Sequence, residues 1–151
     1  MLEIVLVHPQ IPQNAGNIGR TCVSVGARLH LVEPLGFSLA DKYMKRAGLD
    51  YWQHLDWELH KSWDEFRDMF PERPLYCFST KGTRWHTAVA YPEDAMLLFG
   101  SETTGLPPEV LAAGEVIRLP MRPDNRSLNL GNTVAVAAYE WLRQWQYPGL
   151  V

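Results

Sequence analysis

Hydrophobic residues fall along the chain in short unbroken runs, separated by polar stretches punctuated with Gly, Pro, Asn and Ser. Glu3–Val7, Leu29–Glu33, Leu75–Ser79, Met96–Phe99 and Val116–Leu119 lack the in/out alternation of a half-exposed sheet, so they predict strands covered on both faces. Trp57–His60 predicts one more short strand. Between these runs lie helix signals. Asn14 reads as the N-cap of a helix ending near Gly26, and Ser38 or Asp41 as the cap of one through Ala47, stopped by Gly48. Ser62-Trp63-Asp64-Glu65 is a capping box opening a helix to Phe70, closed by Pro71. Pro107–Ala113 predicts a short helix, and Asn132 to about Gln146 the last one. Strand and helix alternating in this way predict an α/β fold, a parallel-rich sheet with helices on both faces. With no repeat, linker or low-complexity stretch, residues 1–151 read as one domain.

Two features of this pattern need more than packing to explain them. The helix from Asn14 carries Ala15, Gly16, Gly19, Cys22 and Ser24, and each helical glycine costs about 1 kcal/mol relative to alanine. Something therefore approaches its backbone closely, while Asn14, Asn17 and Arg20 share one i, i+3 row. Two late strands also run into unusual loops, Gly100 to Pro107 and Pro120 to Asn132. Buried strands that end in Gly- or Asn/Ser-rich loops before a helix are where open α/β folds place ligands.

Composition narrows the class without naming it. The chain is 46% hydrophobic and 21% charged, with net charge −3, ordinary values for a globular domain. That balance disfavours nucleic-acid binding by bulk electrostatics. By segment the charge is +1 over residues 1–50, −3 over 51–75 and −1 over 76–151. Arg118, Arg122 and Arg126 thus form a local basic cluster, and Thr80-Lys81-Gly82-Thr83-Arg84 is a polar loop with two cations. Lys42, Lys45 and Arg46 form another cationic group, suited to a solvated face or a phosphate backbone. Cys22 and Cys77 lie in apolar runs and read as core thiols, compatible with a cytosolic compartment. The start, MLEIVLVHPQ, lacks a basic n-region and reads as a buried strand, and no run is long enough to span a membrane.

Several chemistries have no foothold. Gly100 to Gly105 has P-loop spacing, but Leu106-Pro107 stands where Lys-Ser/Thr is required. His8, His30, His54, His60 and His86 lack metal-ligand spacing, so no metal is expected. Neither Ser101 nor Ser127 sits in a nucleophile elbow.

The ordered motifs Asn14-x-Gly16-Asn17-x-x-Arg20, Leu98-Phe99-Gly100-x-Glu102-x-x-Gly105-Leu106-Pro107, Ile117-x-Leu119-Pro120-Met121 and Ser127-Leu128-Asn129-Leu130 resemble those of the SPOUT RNA methyltransferases. With Glu33-Pro34-x-Gly36-Phe37 and Arg46-Ala47-Gly48-Leu49-Asp50-Tyr51, the chain is most similar to the minimal single-domain members of the TrmL/YibK type. These methylate the 2′-oxygen of the tRNA wobble pyrimidine, nucleotide 34. The resemblance implies S-adenosyl-L-methionine as cofactor, with main-chain contacts from Phe78, Gly100 and Leu119, a polar contact from Ser127, and apolar wall from Met121 and Leu128. It implicates Arg20 in catalysis and places Asn129 and Tyr139 in the site or against RNA; as loop anchor and helix core residue, those two would have structural roles instead. Glu102 would face the cationic cofactor or fasten its own loop, the latter being favoured. Gly131 departs from the Ser that relatives often carry. The resemblance further implies a C-terminal trefoil knot, a homodimer through the last helix and part of the Asn14–Gly26 helix, and the tRNA anticodon stem-loop as partner. Methylation of another RNA site, or RNA binding without catalysis, are the competing readings.

Overall fold

The computed structural model describes residues 1–40 and 51–151. Seven strands form one sheet: β1 (Glu3–Val7), β2 (Arg28–Val32), β3 (Trp57–His60), β4 (Leu75–Phe78), β5 (Arg84–Trp85), β6 (Met96–Phe99) and β7 (Glu115–Arg118). Their spatial order is β3-β2-β1-β6-β4-β7-β5, and every pairing is parallel. The uninterrupted apolar runs are explained by what covers them. α1 (Pro12–Val25) and α4 (Leu130–Gln144) lie on one face, over a core that includes Ile4, Leu6, Leu29, Leu97, Phe99 and Trp141. α2 (Trp63–Met69) and α3 (Pro108–Leu111) cover Val5, Val7, Cys77, Met96 and Leu98 on the other.

The predicted strands sit where the apolar runs placed them, within a residue at either end. β5 and the short 3-10 turn His86–Ala88 after it were not anticipated, because two residues at a sheet edge carry no periodicity. α1 begins earlier than expected. Ile11 is its N-cap, without a side-chain bond, Pro12 fills the first turn, and Asn14 lies inside the helix, buried. Its end is as read: Gly26, at φ 71, adopts the left-handed conformation and returns N–H bonds to Cys22 and Val23. The Ser62 cap is likewise present, with its hydroxyl accepting from the Glu65 amide at 3.1 Å. Of the helix expected from Ser38 or Asp41 to Ala47, the part from Asp41 on, with Lys42, Lys45, Arg46 and Gly48, lies outside the described residues, as does the 46–50 part of the Arg46–Tyr51 motif.

Close approach to α1 also has a concrete source. A Cβ on Gly19 would stand 3.2 Å from the Trp52 ring and 3.3 Å from Leu55. Trp52 in turn packs against Trp57 of β3, ring centroids 5.1 Å apart, and the Arg20 guanidinium lies 4.8 Å over the Tyr51 ring. Trp141 of α4 is part of the chain's own core, 2% exposed and donating to the Pro92 carbonyl. Cys22 and Cys77 are buried free thiols, both pushed up to about 12 by burial. No described helix is long and apolar enough to cross a membrane.

Candidate active site

The carboxyl ends of β4, β6 and β7 open into a cleft. Phe78 and Phe99, adjacent in register at the ends of β4 and β6, stack at 4.8 Å and form its floor. One hollow of about 500 Å³ is bounded by Phe78–Lys81, residues 99–106 and residues 126–130, with Ile11, Asn14 and Thr133. A second, of about 110 Å³, adjoins it and shares Phe78, Ser79, Thr80, Ser127, Leu128 and Thr133. Arg118, Leu119 and Met121 complete that one. All six residues singled out for cofactor binding, Phe78, Gly100, Leu119, Met121, Ser127 and Leu128, therefore border one or both of two hollows that share walls. A volume of this size, with aromatic and aliphatic walls rimmed by loop backbone, fits a nucleoside-sized ligand. Leu128 is an apolar wall residue left 40% exposed.

The loop after β6 is a tight fold held by its own groups. Ser101 and Gly105 form an antiparallel bridge, the Ser101 and Thr104 hydroxyls lie 2.6 Å apart, and the Gly105 amide donates to the Ser101 carbonyl at 3.1 Å. A Cβ on Gly100 would fall 2.0 Å from the Gly105 carbonyl carbon and 2.2 Å from the Leu106 nitrogen. Glycine is thus required at position 100 by the loop's own return.

Glu102 fastens this loop to α1. Its carboxylate accepts from the Gln10 amide at 2.9 Å, the Ile11 amide at 2.6 Å and Asn14 Nδ2 at 3.2 Å. A carboxylate at the amino end of a helix satisfies orphan N–H groups and complements the helix dipole, which explains why Ile11 can serve as a cap with no polar side chain. Asn14 continues the chain of bonds. Its Oδ1 accepts from Asn129 Nδ2 at 3.2 Å, while Asn129 Oδ1 accepts from the Asn132 amide and so caps α4. Three segments far apart in sequence are pinned together by Glu102, Asn14 and Asn129. A Cβ at Gly131 would meet Asn129 Oδ1 at 3.2 Å, so a serine there would press on this pin.

The residues implicated in catalysis are not gathered in the cleft. Asn129 borders it, with both ends of its carboxamide engaged as described. Arg20 is exposed, about 9 Å further along α1 than Asn14 at 1.5 Å per residue, and is not among the residues lining either hollow. Tyr139, 51% exposed, faces outward from α4 in a row with Asn132, Val136 and Arg143, so it is no core residue. Of the basic cluster, Arg118 and Arg126 line the cleft, whereas Arg122 points to solvent beside Asp124 at 3.6 Å. Ser79, Thr80, Lys81 and Thr133 line it too; Thr80 and Lys81 belong to the polar loop noted in the sequence, but none of the four was assigned to the site. Their signal was present for the first three, a polar loop directly following a buried strand.

A parallel α/β sheet with this cleft at its strand ends is the frame of a methyltransferase of the SPOUT type, and the chain belongs to the SpoU rRNA Methylase family, whose pattern it matches over residues 1–139. Full-length relatives are narrower in description. The chain is 46% identical to the tRNA (cytidine(34)-2'-O)-methyltransferase of Methylovorus glucosotrophus (strain SIP3-4), covering 100% of both, and 47% identical to that of Escherichia coli (strain K12), covering 100% and 98%. It also superimposes with a TM-score of 0.93, at 46% identity and 97% coverage of both chains, on a solved structure described as giving insight into 2-OH methylation of C/U34 on tRNA.

Proposed function

We propose that this chain transfers a methyl group from S-adenosyl-L-methionine to the ribose 2′-hydroxyl of the wobble pyrimidine, nucleotide 34, of tRNA. What carries the reading is the pair of hollows with shared walls, bordered by all three late motif loops, in a chain nearly half identical to wobble methyltransferases over its full length. S-adenosylmethionine, when bound, supplies an already activated methyl group. The protein's part is to hold and align. Main-chain groups at Phe78, Gly100 and Leu119 take the polar edges of the cofactor, Ser127 adds a hydroxyl, and Met121 and Leu128 exclude water. Arg20 grips the phosphate beside the target ribose: a guanidinium stays protonated and makes a poor base but a good bidentate anion clamp. Its placement over Tyr51 is a cation–π contact, which leaves N–H donors for a phosphate. Asn129 positions the loop and α4, and Tyr139 belongs to an RNA- or partner-facing surface. Arg118 and Arg126 supply local positive charge for the anticodon stem-loop at the mouth of the cleft.

The test is ribose-methylation mapping of tRNA from cells with and without this chain. Loss of the 2′-O-methyl group at nucleotide 34, and at no other position, is expected; an unchanged position 34 overturns the substrate. One molecule of S-adenosylhomocysteine should bind per chain in titration calorimetry.

The same reading places the enzyme in the cytoplasm, with the last segment threaded as a trefoil knot, and pairs it as a homodimer through α4 and part of α1. Val136 and Tyr139, 43% and 51% exposed on one face of α4, are the apolar surface such a pairing would cover. Light scattering at micromolar concentration should give twice the chain mass of 17.3 kDa. A mass of one chain would contradict the dimer.

A further inference from the structure

On the sheet face away from α1 and α4, parallel register brings together histidines that the sequence leaves scattered. His30 of β2 lies beside Glu58 of β3, and Val32 beside His60. His30 and His60 are 0% and 1% exposed, and their rings meet through Nδ1 and Nε2 at 2.9 Å. His30 Nε2 lies 2.8 Å from Glu3 Oε2, and Arg73 holds the other Glu3 oxygen at 3.2 Å. Phe66 of α2 and Phe70 just after it pack edge-on against both imidazoles.

His30, Glu58 and His60 together have the makings of a metal site, but the ring geometry favours a proton. The centroid separation of 5.2 Å is as large as an N···N contact of 2.9 Å permits, so the nitrogens meet head-on. Two imidazoles sharing a zinc ion at about 2.0–2.1 Å each would aim their lone pairs at the ion instead. Burial opposes the charged form of Glu3, but the His30 bond and Arg73 outweigh it and hold its carboxyl below the usual range. An ionised carboxylate only accepts, so His30 Nε2 is the donor. A neutral His30 then offers a lone pair at Nδ1, and His60 donates to it. The pair can take up one added proton at most, because with two, both facing nitrogens carry hydrogens.

We propose that the His30–His60 pair is a proton-sensitive latch that docks edge strand β3 and, through it, the Tyr51–Trp57 ledge beneath Arg20. Among the described residues β3 is the last strand of the sheet on its side, paired along one edge. His60 secures one of its faces; Trp57, on the other, packs against Trp52, beside which Tyr51 lies under Arg20. The titratable and charged groups acting on His60 are His30 of β2, Glu58 of β3, Glu65 of α2 and Arg28 of β2. Burial first, then His30, holds His60 below the ordinary imidazole range against the weaker pull of the two carboxylates. The sign follows. Below pH about 6.5 the opened strand binds a proton that the docked one refuses, so docking is complete above that pH and weakens as pH falls toward the lowered value.

Hydrogen exchange on the whole protein, corrected for intrinsic rates, reads this directly. Protection of a peptide spanning residues 51–60 should fall between pH 7.5 and pH 5, the direction a depressed imidazole requires, while β6 keeps its protection. In His60→Gln, whose Nε2 can still donate to His30 but does not titrate, the same peptide should change less than about twofold. In wild-type protein, carbon-labelled His60 should stay neutral at pH values where a free imidazole is protonated, a readout that needs no variant. Equal loss in β6, an unaltered pH dependence in His60→Gln, or His60 titrating in the ordinary imidazole range would overturn the latch. So would stoichiometric zinc uptake that raises protection in β3, which would make this a metal site.

Discussion

Replacing Gly100 with alanine should abolish useful cofactor binding and loosen the loop that carries Glu102. A Cβ there lands 2.0–2.4 Å from three backbone atoms of Gly105 and Leu106, and backbone cannot rotate aside as a side-chain tip can. The strand end before it is fixed by pairing with both β1 and β4, so the loop itself must open. Overpacking of this kind costs about 1–3 kcal/mol, and opening the Ser101–Gly105 bridge would also move Glu102 off the start of α1. Affinity for S-adenosylhomocysteine should drop by about two orders of magnitude, since each 1.4 kcal/mol is tenfold. The melting temperature should fall by several degrees, at about 2–4 °C per kcal/mol for a chain of this size. Calorimetry and thermal melts on one preparation measure both. Undiminished binding with an unchanged melt would show that the loop does not need this close return.

Arg20→Ala should lose most methyl transfer while cofactor affinity holds, because Arg20 lines neither hollow and lies about 9 Å along α1 from Asn14, the last cleft residue on that helix. Loss of a charge-assisted bond costs about 1.5–3 kcal/mol, or roughly ten- to a hundredfold in rate, and more where the contact tightens in the transition state. Arg20→Lys should recover little, since an ammonium lacks the planar fork. The deficit should appear in turnover more than in tRNA affinity, which is shared among other phosphate contacts. Single-turnover methylation with tritiated cofactor, alongside calorimetry of the cofactor, separates the two. Near-normal turnover in Arg20→Ala would leave Arg20 as a surface cation resting on Tyr51.

Glu102 illustrates why part of the site was legible and part was not. Its loop stood out because Gly100-x-Glu102-x-x-Gly105-Leu106-Pro107 follows a fully apolar strand, and fastening was the favoured role. Its partners, Gln10, Ile11 and Asn14, are some ninety residues earlier and become neighbours only because β6 pairs with β1. Asn14, an obvious cap candidate by type, is instead drawn inside α1 because Glu102 already serves the helix start. Asn129 can pin α4 only because Asn14 is buried beside it.

What the sequence determined by itself is therefore what acts within a few residues: apolar runs four or five long, the Ser62–Glu65 cap, the left-handed Gly26, and the loops that end β6 and β7. Strand formation and capping depend on neighbours in the chain, so local pattern suffices. The strand order β3-β2-β1-β6-β4-β7-β5, the two-residue β5, the burial of Trp141, the Glu102–Asn14–Asn129 pin and the head-on His30–His60 pair were decided by tertiary structure. Each depends on which strand lies beside which, and a parallel sheet sets that through crossovers whose closing contacts lie tens of residues apart, where local periodicity carries no information.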